Sequence, residues 1–128
     1  MTGAPVYQSY REQSVSTTGK VYALNLFNIT DPDEYLGYLQ AVAPNLAAHG
    51  GRPVAMGKLR NAVEGDIESR QVLVIIEWES KEVFDAYRED PALADVHPRR
   101  EKGTSSYVWH LFDRLDDLRP LLMADPVE

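Results

Sequence analysis

The chain contains no cysteine. Disulfides, thiolate catalysis and cysteine-ligated metal are therefore excluded. Basic residues are in short supply: 13 Lys and Arg stand against 20 Asp and Glu, a formal charge of −7. Nucleic acid and anionic bilayers demand a basic face, so neither is expected as the main partner. No apolar run approaches the roughly 20 residues of a membrane-spanning helix. There is no internal repeat, no Gly-rich phosphate loop and no Gly-x-Ser-x-Gly elbow. Residues 1–19 have neither an apolar stretch nor an early basic cluster, so no signal peptide is expected. The expectation is a cytoplasmic protein, with the acidity serving solubility.

At 128 residues the chain suits one domain with a core that needs no staples. Its 44% hydrophobic and 26% charged content are those of an ordinary globular protein. The most apolar stretch is Gln71–Trp78, Gln-Val-Leu-Val-Ile-Ile-Glu-Trp. A run this short, without polar residues on alternate positions, suits a strand covered on both faces. Glu77 shares a side with Leu73 and Ile75.

Residues 1–19 are rich in Ser, Thr, Gln and Gly and read as a flexible arm. Lys20–Ile29 reads as the first strand, with Val21, Ala23, Asn25 and Phe27 on one side and Tyr22, Leu24, Leu26 and Asn28 on the other. Asp31-Pro32-Asp33-Glu34 is a helix start: a side-chain acceptor, a proline for the first turn and a capping-box glutamate. Tyr35, Leu39, Val42 and Leu46 continue at helical spacing, Pro44 is expected to bend or break the helix, and His49-Gly50-Gly51 ends it. Arg52–Glu64 reads as a weaker second strand, joined to the third by a short connection. Ser80 caps a second helix that turns Val83, Phe84 and Tyr87 inward. A short helix over Ala92–Val96 is expected to end at His97-Pro98, leaving Arg99–Gly103 as a charged loop. Ser105–Arg114 is the fourth strand, with Tyr107, Trp109, Leu111 and Asp113 on one side and Val108, His110 and Phe112 on the other. The tail, 115–128, carries Leu118, Leu121, Leu122 and Met123 and is expected to pack on the domain, 20–114, or on a partner.

The order strand, helix, strand, strand, helix, strand is the ferredoxin-like βαββαβ plan of the α+β class, a four-stranded antiparallel sheet with both helices on one face. Two helices shield only one face of such a sheet. The other still carries large apolar groups, and at about 25 cal/mol per Å² leaving them wet forgoes many kcal/mol. The economical solution is a homodimer whose sheets pack face to face as a shared α/β barrel.

Several residues are candidates for chemistry, and each has a plain structural alternative. Glu77, flanked by Ile75 and Ile76, can be a desolvated general base with a raised pKa, or the partner of Arg52 or Arg70. His110 can be a general acid or base, or a satisfied core histidine. Asn25 can donate to an oxyanion, or satisfy a neighbour's backbone. Tyr38, Trp109 and Trp78 can line a substrate pocket between sheet and helix, or fill it. Arg99, with Arg100, can meet an anionic substrate at the pocket mouth, or sit in a solvated loop. His49 is well explained at a helix C-terminus. The three histidines, His49, His97 and His110, show no metal-ligand spacing, so no metal is expected.

Asp31-Pro32, Tyr35, Tyr38, His49-Gly50-Gly51-Arg52, Glu64-Gly65 and the run ending Glu77-Trp78-Glu79-Ser80 together resemble the uncharacterised family numbered thirteen-thirty among domains of unknown function. The resemblance covers about residues 20–113, with Trp78 where that family usually has Phe. It implies the dimeric α/β-barrel superfamily, whose relatives include cofactor-free monooxygenases and polyketide cyclases of antibiotic pathways, muconolactone isomerases and haem proteins. The expected function is thus a small-molecule enzyme without redox cofactor, in secondary metabolism, acting on a hydrophobic carbonyl-bearing compound. Glu77, His110 and Asn25 would move its protons in the sheet–helix pocket. The alternatives are a non-catalytic binding protein and a haem protein with His49, His97 or His110 as axial ligand.

Overall fold

β-Branched and apolar residues dominate two stretches, Val21–Ile29 (β1) and Val72–Trp78 (β3), and these form the centre of a four-stranded sheet. The computed structural model describes residues 19–123. Its strand order is β2-β3-β1-β4, with Arg52–Lys58 (β2) and Thr104–Asp113 (β4) at the edges. Every neighbouring pair is antiparallel. The ferredoxin-like arrangement expected from the element order is the one present.

The first helix, Pro32–Ala48 (α1), starts as its sequence dictates: Asp31 Oδ1 accepts from the Glu34 amide at 3.2 Å, and Pro32 occupies the first turn. Glu34 does not complete a capping box; its carboxylate turns to Arg99. The helix runs unbroken through Pro44. It ends with Gly50 at φ +85°, where the Gly50 and Gly51 amides return to the Ala47 and Leu46 carbonyls. Ser80 Oγ accepts from the Val83 amide and opens the second helix, Lys81–Arg88 (α2), which buries Phe84 and Tyr87.

Three boundaries differ from the sequence expectation. The second strand ends at Lys58, not Glu64, and residues 59–71 form a long loop instead of a short connection. Every residue of β2 is exposed, so little side-chain burial extends the strand. Pro53 sits beside a register shift on this edge strand, a place where its missing N–H is tolerated. The Ala92–Val96 helix is instead a 3₁₀ turn, Pro91–Leu93. The charged segment His97–Gly103 (α3) is helical, not loop. His97-Pro98 opens this helix instead of ending the one before, because proline fits a first turn as readily as it stops a last one. A Cβ at Gly103 would lie 2.8 Å from the Tyr35 nitrogen, so only glycine lets the end of α3 meet the start of α1. Arg119–Leu122 (α4) forms a short final turn with Leu118, Leu121 and Leu122 exposed. Residues 1–18 and 124–128, most of the arm and the end of the tail, lie outside the described residues.

The register assigns the two sheet faces. Val21, Ala23, Asn25 and Phe27 of β1 lie beside Trp78, Ile76, Val74 and Val72 of β3, and beside Trp109 and Leu111 of β4. Tyr38 and Val42 of α1, Phe84 and Tyr87 of α2, and Leu93 cover this face and close one core. The opposite face carries Tyr22, Leu24, Leu26, Leu73, Ile75, Val108 and Phe112, which stand outside the core cluster formed among the described residues. Fully buried aromatics such as Phe27 and Trp78 each stabilise the helix-covered side by about 1.5–3 kcal/mol.

Candidate functional site

Between α1 and the helix-covered face lies a cavity of about 560 Å³. Alternation along β1 turns Ala23, Asn25 and Phe27 into its floor, β3 adds Val74, Ile76 and Trp78, and β4 adds Tyr107 and Trp109. Helical spacing along α1 supplies Tyr35, Tyr38, Leu39 and Val42 as the roof, and Tyr87 closes one end. The volume falls in the range of about 300–1,000 Å³ usual for small-molecule sites. Among the described residues no charged side chain lines it.

The polar groups on its lining side chains are one amide, four phenols and the indole N–H groups of Trp78 and Trp109. Asn25 is 5% exposed. Its Nδ2 donates to the Ala23 carbonyl at 3.2 Å and to the Val74 carbonyl at 3.3 Å, and its Oδ1 accepts from the Tyr107 hydroxyl at 2.7 Å. Both amide hydrogens are thus committed to backbone. Asn25 matches the plainer of its two sequence readings: it ties β1 to β3 and fixes Tyr107, and has no spare donor for an oxyanion.

Tyr107 also stacks on Phe27, with ring centres 4.8 Å apart and planes 9° from parallel. Phe27 meets Tyr35, and Tyr35 meets Tyr38, so the aromatic wall is continuous. Burial pushes the Tyr35, Tyr87 and Tyr107 hydroxyls well above the usual phenol range, the Tyr38 phenol adding to each and Arg100 acting weakly against. These phenols stay protonated at any working pH and serve as hydrogen-bonding groups, not bases. The neighbouring Tyr38 hydroxyl also helps to hold Tyr87 protonated.

The proposed site residues separate into two sets. Asn25, Tyr38, Trp78 and Trp109 share the cavity wall. Glu77 and His110 do not: they point from the opposite face of the sheet, so the structure does not bring them together with Asn25. Glu77 is paired with Arg52 at 2.5 Å, with Lys20 3.8 Å away. The expected raised pKa is reversed. The hydrogen bond from Arg52 holds the carboxyl below its ordinary value, outweighing desolvation, with Lys20 helping. His110 is exposed instead of sitting in a core. Arg99 is absent from the cavity wall; its guanidinium pairs with Glu34 at 3.4 Å and crosses Gly37. None of the three histidines lines the cavity.

Tyr35, Tyr87 and Tyr107 were not singled out as site residues from sequence. The first two sit at ordinary core spacings. Tyr107 carried a usable signal, sharing the Trp109 side of its strand two residues away.

Comparison with known proteins places the chain. Two structures of RPA0582, a protein of unknown function from Rhodopseudomonas palustris, are similar at 19% identity and TM-score 0.67, covering 91% of this chain and up to 97% of theirs. SnoaB, a cofactor-independent oxygenase from Streptomyces nogalater, is similar at 18% identity and TM-score 0.56, covering 77% of this chain and 96% of its own. A dimeric ferredoxin-like protein of unknown function from Thermobifida fusca is similar at 18% identity and TM-score 0.51, over 74% and 91%. At these identities the likeness concerns fold. No curated protein matches the sequence. Among the described residues no helix is long and apolar enough to cross a membrane. The model of the domain of unknown function DUF1330 matches residues 20–111, the sheet, its helices and every wall of the cavity, and the chain belongs to that family.

Proposed function

We propose that this chain is a small-molecule enzyme working without a redox cofactor on a hydrophobic carbonyl-bearing compound held in the cavity between α1 and the sheet. The observation that carries the reading is the cavity itself: apolar and aromatic walls, no charged side chain among the described residues, and four phenols, of which Tyr107 is fixed by Asn25. The Tyr38 O–H, on the roof of the cavity, can donate to a ligand carbonyl. The Tyr107 hydroxyl, spent on Asn25, keeps lone pairs that accept from a ligand hydroxyl. Such an arrangement holds a flat apolar body in place and stabilises the oxygen of an enol or enolate as it forms. The reaction class is cyclisation, isomerisation or cofactor-free oxygenation, and the family resemblance and the SnoaB fold support that range.

Among the described residues no carboxylate or imidazole lines the cavity, so these walls stabilise an enolate without supplying the base. A compound acidic enough to ionise itself suits this site. The same observation favours a second reading, binding without turnover. Mass spectrometry of the small molecule that co-purifies, followed by incubation with it, separates the two. Consumption slowed about tenfold or more by Tyr38→Phe supports the enzyme; a ligand that raises the melting temperature and is recovered intact supports the binder.

The open face has a reading of its own. Leu24, Leu26, Leu73, Ile75, Val108 and Phe112 form an apolar layer without a cover in one copy. A second copy packed on it forms the homodimeric barrel, and the dimeric Thermobifida fusca neighbour supports this. Light scattering at micromolar protein should give twice 14.4 kDa; a monomer mass rejects the barrel.

A further inference from the structure

Behind the Tyr107–Trp109 wall is a second cluster that the cavity does not use. Arg100 of α3 stacks on both rings, its guanidinium carbon 4.8 Å from the Tyr107 centre and 4.6 Å from that of Trp109. Arg88, at the end of α2, lies 5.5 Å from the same Trp109 ring. His97, one turn before Arg100, meets the Tyr87 ring edge-on. In a chain of net charge −7 these cations are conspicuously unpaired. Among the described residues Arg52, Arg99, Arg114 and Arg119 each hold a carboxylate, Arg70 donates to the Glu68 and Ser106 carbonyls and Arg60 is exposed, whereas no carboxylate lies within 4.0 Å of Arg88 or Arg100, which meet at the Trp109 ring.

A second observation points to the same place. Five buried side-chain polar atoms among the described residues lack a hydrogen-bond partner. Four belong here: both His97 ring nitrogens, Arg100 Nε and Trp109 Nε1. Each orphaned buried donor costs about 1–3 kcal/mol, so a native chain gathers them in one spot only if something accepts from them. Burial pushes the His97 imidazole toward its neutral form, and Arg100 and Arg88 push it further, against a weak backbone contact to Arg88. Arg100 Nε–H, the Trp109 indole N–H and one nitrogen of the neutral His97 ring are donors, so the component they call for is an acceptor, and beside two cations an anionic one.

We infer that Arg88, His97 and Arg100, set against Trp109, form an oxyanion-binding site on the outer side of the cavity wall, suited to a carboxylate or phosphate group. Guanidinium forks match both groups, and charge-assisted hydrogen bonds are about twice as strong as neutral ones. Arg88 is exposed and Arg100 half-buried, so the cluster reaches the surface. An anion there would offset the positive charge that Arg100 casts on Tyr87 and Tyr107, linking its occupancy to the cavity's phenols. The site stands apart from the proposed function; an empty cavity would leave it intact.

The test is calorimetric titration of the full chain with inorganic phosphate and, separately, with benzoate, at constant ionic strength in chloride. Nuclear magnetic resonance follows the His97 ring and the Trp109 indole N–H. Saturable binding of either anion, moving both resonances and weakened about tenfold or more by Arg100→Gln, is the expected result. Phosphate alone would mark a phosphoryl-bearing ligand, benzoate alone a carboxylate, and either outcome supports the site. Arg88→Gln, on the exposed member, repeats the test where Arg100→Gln fails to fold. No saturable binding, or binding equal in wild type and variant, overturns the inference and leaves trapped water as the acceptor.

Discussion

The two faces of one sheet differ more than their sequences do. Both are built from alternating apolar residues on β1, β3 and β4. On the helix-covered face Phe27 and Trp78 are at most 1% exposed, while Phe112 on the other face is 51% exposed. The polar groups differ in the same sense. The covered face carries neutral groups, Asn25 bonded to Tyr107, with Tyr35, Tyr38 and Tyr87 lining the same cavity. The open face carries charge, Glu77 with Arg52 and Lys20. An apolar strand residue thus does different work according to what the rest of the chain lays over it. The neutral, enclosed face is suited to a small ligand, and the charged, open face to a second protein surface.

Truncation gives the widest contrast. Phe27→Ala removes a fully buried ring that touches Tyr35 and Tyr107 and should cost about 3–5 kcal/mol in urea unfolding. Phe112→Ala should barely change the stability of a monomer and, with the proposed homodimer built on this face, should shift the mass in solution toward 14.4 kDa. If the two cost the same in monomers, the faces are not distinct. Next in size, Asn25→Ala strips the Tyr107 hydroxyl of its acceptor and should cost about 1–3 kcal/mol. The double variant with Tyr107→Phe should recover part of that loss, and additive losses would show that the hydrogen bond contributes nothing.

A smaller effect belongs to Glu77. Its folded pKa lies below the ordinary value of 4.5, so its stabilising contribution is complete above that value and is lost as pH falls through the lowered one. Glu77→Gln should lower the neutral-pH urea midpoint and flatten the acid limb of the stability curve. An unchanged acid limb would mean that Arg52 does not hold the carboxylate.

Much of this was legible in the residues, and what was not has physical causes. The sides of β1 and β4 follow from a period of two, which is local. Which side the helices cover depends on register and crossover, which are not. Glu77 shares a side with Leu73 and Ile75, as a period of two predicts, but register turns that side away from the pocket in which its chemistry was expected. His110 is turned away with it. The helix at His97–Gly103 was missed because a proline marks a start and a stop alike. The long 59–71 loop was missed because Leu59 and Val63 read as strand, whereas both are exposed. Asn25 was located correctly, but its saturation depends on Tyr107, eighty-two residues away.

The most direct measurement is thermal unfolding with 2-acetylnaphthalene, a neutral aromatic ketone, on the wild type, His110→Ala and Ala43→Trp. Ala43 is exposed and lines the cavity, so a tryptophan there fills the mouth without disturbing the core. The ketone should raise the melting temperature of wild type and His110→Ala alike and leave Ala43→Trp unmoved. No rise in the wild type, or an equal rise in Ala43→Trp, would contradict a ligand site on the helix-covered face.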